Sequence, residues 1–341
     1  MIYQQSNIDN VFYGSDMIAS GFVGTHLIFP TSTPPVPPPP TQGDYLNFTA
    51  RNGSATIGMS GTATPNVSYS FDKINWVTWD YSNITLNEDQ TVWMKGNNPN
   101  GFNTSMNFDY RKRFSMTGTI EANGSVQSLL YEDNYKNNYI IPNNSCFNAL
   151  FYNCRGLITA PELPATSITP YCYTDMFSNC RSLTTAPQLP AMTLAVSCYY
   201  RMFDTCKSLT QIPQLQATTL AQGCYANMFT DCTSITTAIL PATTLVDNCY
   251  SQMFRRCTSL TTAILPATTL KESCYYIMFG GCTSLNYIKA MFTTTPSDTY
   301  TNSWVDGVAA NGTFVKNSAA TWNVRGEDGV PTRWTIEYAD S

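Results

Sequence analysis

Twelve cysteines fall into six pairs of one spacing, Cys146/Cys154, Cys172/Cys180, Cys198/Cys206, Cys224/Cys232, Cys249/Cys257 and Cys274/Cys282, with eight residues from one member to the next. Thiols in such numbers could form disulfides, hold a metal or carry redox chemistry, and each option makes a geometric demand. Eight helical residues span about 12 Å, whereas a disulfide needs its Cα atoms within about 7 Å. Helices of neighbouring repeats pack about 8–10 Å apart, which strains a ladder of bridges between repeats as well. Zinc wants a closely spaced cysteine pair or a histidine partner, and His26 is the single histidine of the chain. The thiols are therefore expected to be reduced and buried, as small apolar fillers.

Other chemistry is equally thinly supplied. A lone histidine removes the commonest general base. A carbohydrate-active reading needs a close carboxylate pair, for which Asp72, Asp80, Glu88 and Asp89 are the candidates, and turn positions account for them better. No enzyme, cofactor or metal is expected. With 18 basic and 23 acidic residues the net charge is −5, which offers no electrostatic footprint for nucleic acid. The run Arg111-Lys112-Arg113 reads as a solvated strand face. No stretch approaches the roughly 18 apolar residues of a membrane span, and the first six residues lack the basic and apolar regions of a secretory signal, so synthesis in the cytoplasm without membrane insertion is expected.

The elements that must position the cysteines belong to a tandem repeat. Their first members advance by 26, 26, 26, 25 and 25 residues, a period at which each unit buries its apolar face only against its neighbours. Within the unit Cys-Tyr-x-x-Met-Phe-x-x-Cys, the first, second, fifth, sixth and ninth positions fall in an arc of about 140° at helical periodicity, which predicts an amphipathic helix. In the second copy the interior comprises Cys172, Met176, Phe177 and Cys180, with Leu183 pointing inward from a following extended segment. The shorter steps coincide with Ala238-Ile239-Leu240-Pro241 and Ala263-Ile264-Leu265-Pro266, which lack one residue of Ala186-Pro187-Gln188-Leu189-Pro190. Tyr173, Tyr199, Tyr225, Tyr250 and Tyr275 recur beside the first cysteine, where they seal the helix layer with hydroxyls at the surface or stack sugar rings; Tyr200 and Tyr276 double the aromatic and are candidates for adhesion.

The flanks differ in character. Residues 1–30 hold a duplication of period ten, Val11-Phe12-Tyr13-Gly14-Ser15 and Gly21-Phe22-Val23-Gly24-Thr25, each with strand-like pieces about a glycine turn. So short a segment needs a partner, and Phe12, Tyr13, Gly14, Phe22, Gly24, Leu27 and Phe29 are the candidate anchoring residues. Residues 31–43 form a proline-rich, semi-rigid spacer. Residues 44–130 carry short alternating runs, at 46–49, 55–59, 67–71, 76–79, 91–94 and 106–110, that suggest a β-sandwich. Residues 131–290 hold the repeat, and 291–341 form a cap in which Trp304 and Trp322 shield the last turn or, alternatively, present a receptor-binding tip.

The Met-Phe-x-x-Cys-x-Ser-Leu-Thr core followed by Leu-Pro-Ala-Thr-Thr-Leu resembles the BspA-like class of leucine-rich repeats, abundant in gut Bacteroidales and their phages. The resemblance covers roughly residues 146–290 and implies an α/β leucine-rich-repeat solenoid of about six units used for adhesion, so the chain is expected to be multidomain: short β anchor, β-sandwich, solenoid, cap. The duplicated N-terminal motif looks similar to segments of phage virion proteins. The functional expectation is a phage head fibre or decoration protein on the virion surface, attached to a capsid or other virion protein through residues 1–30, homo-oligomeric with a trimer favoured, and presenting its solenoid to a host-surface glycan or protein. The alternative is an adhesin on a bacterial cell surface.

Overall fold

The computed structural model describes residues 42–107 and 109–339 and, before them, the backbone of four short strands. The chain divides into two compact units, Met1–Pro40 and Thr41–Ser341. In the first, β1 (Val11–Tyr13) pairs antiparallel with β2 (Asp16–Ile18), and β3 (Phe22–Val23) with β4 (His26–Leu27). The period-ten duplication is thus two successive hairpins. Phe12 and Tyr13 lie in β1, Phe22 in β3 and Leu27 in β4; Gly14, Gly24 and Phe29 lie outside the described residues.

The second unit opens with β5 (Leu46–Ser60), β6 (Ser68–Ser70), β7 (Val77–Thr78), β8 (Ile84–Leu86), β9 (Thr91–Lys95) and β10 (Arg113–Asn123). Two runs expected as separate strands, 46–49 and 55–59, are halves of β5. Asn52 and Gly53, both at positive φ, bulge the strand between them, and β9 pairs with the first half while β8 pairs with the second. Residues 109–110 are a turn where a strand was expected. The sandwich is not formed: these strands make a single seven-stranded sheet whose last member, β11 (Leu157–Thr159), belongs to the repeat region and runs parallel to β10. Arg111 and Lys112 are buried against expectation. Arg111 donates to Asn148 Oδ1, and Lys112 Nζ donates to Gly61 O at 3.1 Å while lying 3.7 Å from the Tyr81 ring centre.

The repeat region is a solenoid, and the expected helix is replaced by tandem turns. In the second copy Tyr171, Tyr173, Asp175, Phe177 and Asn179 donate their amides to carbonyls of the next rung, Val196 to Asp204, at 2.7–3.0 Å. The intervening amides, Cys172, Thr174, Met176, Ser178 and Cys180, donate three residues back within the rung at 3.0–3.3 Å. Half the donors are therefore satisfied locally and half along the stack, which leaves none unpaired. This closure needs a left-handed residue at every fourth position, as at Tyr171 (φ 59°), Asp175 (φ 55°) and Asn179 (φ 64°), and such residues cannot continue an α-helix. The interior pattern that fits a helical arc is a strict period of four.

The extended half of each rung forms a parallel sheet where proline allows. Pro187 and Pro213 deprive copies two and three of ladder donors, and only isolated bridges such as Thr159↔Thr185 and Leu189↔Leu215 form there. Once the shorter steps drop that proline, β12 (Thr237–Ile239), β13 (Thr262–Leu265), β14 (Tyr287–Ala290), β15 (Thr313–Asn317) and β16 (Thr335–Ala339) align in register, with Ala238, Ala263, Ile288, Phe314 and Ile336 in one inward column. The solenoid consequently continues past residue 290. A cysteine-free rung accepts the sixth copy's amides, Ile277 to Asn302 O, Phe279 to Trp304 O and Gly281 to Asp306 O, at 2.7–2.9 Å.

Both ends of the stack are covered by aromatics. Phe114 of β10 stacks on Phe151 of the first rung at 5.1 Å and 12°, while its amide donates to Leu150 O at 2.8 Å. At the other end Trp304 stacks on Tyr275 at 5.9 Å. One apolar core runs from Leu46 to Trp334, so no boundary at residue 130 separates a sheet domain from a solenoid.

A single calorimetric transition is therefore expected for residues 41–341, and Phe114→Ala should lower its stability by about 3–5 kcal/mol; separate melting of sheet and solenoid would contradict the shared core. Thr205 is a β-branched residue at φ 63° in the column where Asn179 Nδ2 donates to Asn153 Oδ1. Thr205→Asn should raise stability by about 1 kcal/mol, read as a higher melting temperature.

Candidate functional site

The cysteines form two columns of six, one rung apart within each column. The interval is a single hydrogen-bond step, Phe147 N to Cys172 O at 2.9 Å, so the separation of 8–10 Å expected between helices does not apply. All twelve thiols are nonetheless free and buried. The second thiol of each later pair donates to a phenylalanine carbonyl of the preceding rung: Cys180 to Phe151, Cys206 to Phe177, Cys232 to Phe203, Cys257 to Phe229 and Cys282 to Phe254, all at 3.0–3.2 Å. Burial in apolar surroundings pushes Cys146, Cys154 and Cys282 from 9.0 up to about 12. The nucleophilic thiolate is thereby suppressed. Among the described residues no group of three or more His, Cys, Asp or Glu could hold a metal ion.

The aromatic repeat positions are interior too. Tyr173, Tyr199, Tyr225, Tyr250 and Tyr275 stack face to face at 5.7–6.4 Å, and each is at most 2% exposed. Their hydroxyls are not at the surface as expected; those of Tyr173 and Tyr250 find no hydrogen-bond partner among the described residues. A second column, Phe151, Phe177, Phe203, Phe229, Phe254 and Phe279, stacks at 5.3–6.0 Å. Cys172, Met176, Phe177, Cys180 and Leu183 are all fully buried.

The residues singled out for adhesion do not converge. Tyr200 and Tyr276 are half-buried and three rungs apart, with Ala226 and Ser251 at the equivalent places between them. Trp304 and Trp322 are buried at 0% and 5% exposure, packed with Phe292 and Phe314, and donate their indole N–H groups to Gly329 O and Phe292 O. They are core residues of the terminal rungs and present no ring to a receptor. An open depression of about 320 Å³ near Asp306, Glu327 and Arg333 is shallow and carries no convergent chemistry.

A cluster that sequence reasoning passed over lies on the solvent side of the seven-stranded sheet. In β9 the alternation buries Val92 and Met94 and turns Thr91, Trp93 and Lys95 outward. Trp93 lies opposite Asn47 of β5 and Ser70 of β6. Its Nε1 donates to Asp44 Oδ2 at 3.1 Å, and Lys73 Nζ, 2.6 Å from the same oxygen, sits 5.0 Å from its ring centre. Beside it Lys95 Nζ lies 4.5 Å from the Trp76 ring centre and 2.9 Å from Asp133 Oδ1, which also accepts the Tyr45 hydroxyl at 2.6 Å. Tyr45 meets Trp76 edge-on at 5.1 Å.

The loop that carries Trp76 is held by Asp72, whose Oδ1 accepts the amides of Ile74 and Asn75 at 2.8 Å. Those bonds keep its carboxyl well below the usual range. Partial burial raises Asp44, but the bonds from Lys73 and from the Tyr45 amide outweigh it and hold it below 3.8. Burial, and then Asp133, push the Tyr45 hydroxyl up to about 12. The patch therefore gathers two lysine side chains and the carboxyl groups of Asp44, Asp72 and Asp133 among three partly exposed rings. The alternation in Thr91–Lys95 was the available signal for it.

No protein-family model, curated protein or solved structure matches the chain.

Folded protein at pH 8 should leave all twelve thiols unreacted towards an aromatic disulfide reagent and release all of them in guanidinium; fast native labelling of any one would contradict its burial. Because the folded thiols titrate above their unfolded value of 9.0, their contribution to stability is complete below pH 9 and falls as the pH rises beyond it, for Cys146 and Cys154 between pH 9 and about 12. Melting temperatures followed upward from pH 8 should decline in that window.

Proposed function

We propose that this chain is a structural component of a bacteriophage particle, a head fibre or decoration protein attached through residues 1–30 and projecting its larger unit from the virion surface for adhesion. The observation that supports this reading is the division at Pro40: two short hairpins on one side of a proline-rich run, and on the other a long scaffold with one continuous core. The hairpins repeat the same small motif at Phe12-Tyr13 and Phe22-Val23, which suits repeated contacts with a capsid or other virion protein, and a trimer suits a projecting fibre. The repeat motif supports kinship with BspA-like proteins, although its turn segments are not helical. The larger unit offers an adhesive surface and a core built for rigidity, which fits display and not turnover.

Deletion of residues 1–30 should abolish incorporation into particles while the purified remainder keeps its thermal transition. Normal incorporation of the truncated chain, measured by mass spectrometry of purified particles, would sink the anchor assignment.

A further inference from the structure

We infer that the outer face of the seven-stranded sheet, centred on Trp93 and Trp76, is a binding site for a neutral saccharide. The inference deepens the adhesive part of the reading above and rests on it, while placing recognition on the sheet and not on the solenoid. Three observations converge on this ligand.

The first is ring presentation. Trp93, Trp76 and Tyr45 lie on the solvent side of a sheet whose other side is filled by Leu46, Phe48, Val92 and Met94. None of the three belongs to the apolar core cluster, and large rings left partly exposed together on one face are a feature of recognition surfaces.

The second is the polar frame. Asp44 and Lys73 have side chains 38% and 41% exposed, and Asp133 is 63% exposed, so their remaining acceptor and donor positions face solvent beside the rings. Exposed Asn123 pairs with Asn47, which in turn lies opposite Trp93, and extends the same row with an amide. A sugar ring matches this alternation: its axial C–H groups rest on an aromatic surface while hydroxyls at its edge bond to carboxylate, amine and amide.

The third is charge. Two amines are each paired with a carboxylate within the patch, Asp72 adds a third carboxylate beside them, and the chain carries −5 overall. A phosphate chain or an acidic peptide would meet these fixed carboxylates, and an apolar partner would strand the charges away from water. A neutral polyol replaces that water bond for bond.

The site is tested with the whole chain. It is applied to an array of neutral and acidic oligosaccharides, and the strongest neutral member is then titrated by tryptophan fluorescence. Binding to neutral members is expected, with Trp93→Ala weakening it about tenfold or more and Tyr338→Ala, 59% exposed in β16, leaving it unchanged. If Trp93→Ala loses the native circular dichroism, Trp93→Phe, which keeps a ring but not the donor to Asp44, should bind with intermediate strength. Absence of neutral binders, preference for acidic ones, or a folded Trp93 variant that binds like the parent overturns the site. Particle incorporation separates the two readings: it should be normal for the Trp93 variants and lost only when residues 1–30 are removed.

Discussion

Amides that alternate along each turn segment donate to the carbonyls of the next rung, and this one-step spacing dictates what the interior can contain. Residues at equivalent places are forced into columns, where each side chain must tolerate a copy of itself directly above and below. Flat rings meet that demand by stacking, as the phenylalanine and tyrosine columns do at 5.3–6.4 Å. Cysteine meets it through size and a weak donor: the S–H of Cys206 reaches a carbonyl that already serves its own rung, at 3.2 Å, without the desolvation cost of a hydroxyl. A buried charge repeated at this interval would repel its neighbours, and the cysteine, tyrosine and phenylalanine columns hold none.

Much of this was legible in the sequence, and the omissions have physical causes. The period and the identity of the interior residues follow from the cysteine spacing alone. The helix does not, because positions one, two, five, six and nine satisfy a period of four as well as they satisfy 3.6, and nine residues are too few to separate the two. The distinguishing residues were present: Asn, Asp or Gly recurs at the left-handed places, as in Asp175 and Asn179, Gly223, Asn227 and Asp231, and Gly281 and Gly307. The seventh rung was hidden because Trp304 takes the aromatic place and no cysteine marks it. The sandwich was suggested by alternation, but alternation reports one buried face and cannot say whether a second sheet or the end of a solenoid covers it.

The two ends are finished by different means. At the N-terminal end the sheet supplies β10 as a surrogate rung, matching both the hydrogen bonds and the stacking of a true one through Phe114. At the C-terminal end the indole groups of Trp304, Trp322 and Trp334 donate to backbone carbonyls at 2.8–3.2 Å, which ties the loops over the final rungs. The last strand, β16, carries Glu337 on its exposed face, a charge that discourages edge pairing with further strands. Sheet, solenoid and terminal rungs thus share one core, while the ringed patch on the far side of the sheet remains outside it.

The turn segments of successive copies meet through the same alternating amide bonds throughout the stack. The segments 238–245 and 263–270 are identical, Ala-Ile-Leu-Pro-Ala-Thr-Thr-Leu. Recombination between matching segments can therefore delete or duplicate whole rungs in frame, with both finished ends docking as before. The number of copies becomes an inherited length setting, adjusted in units of one rung and independent of whatever evolves at the termini.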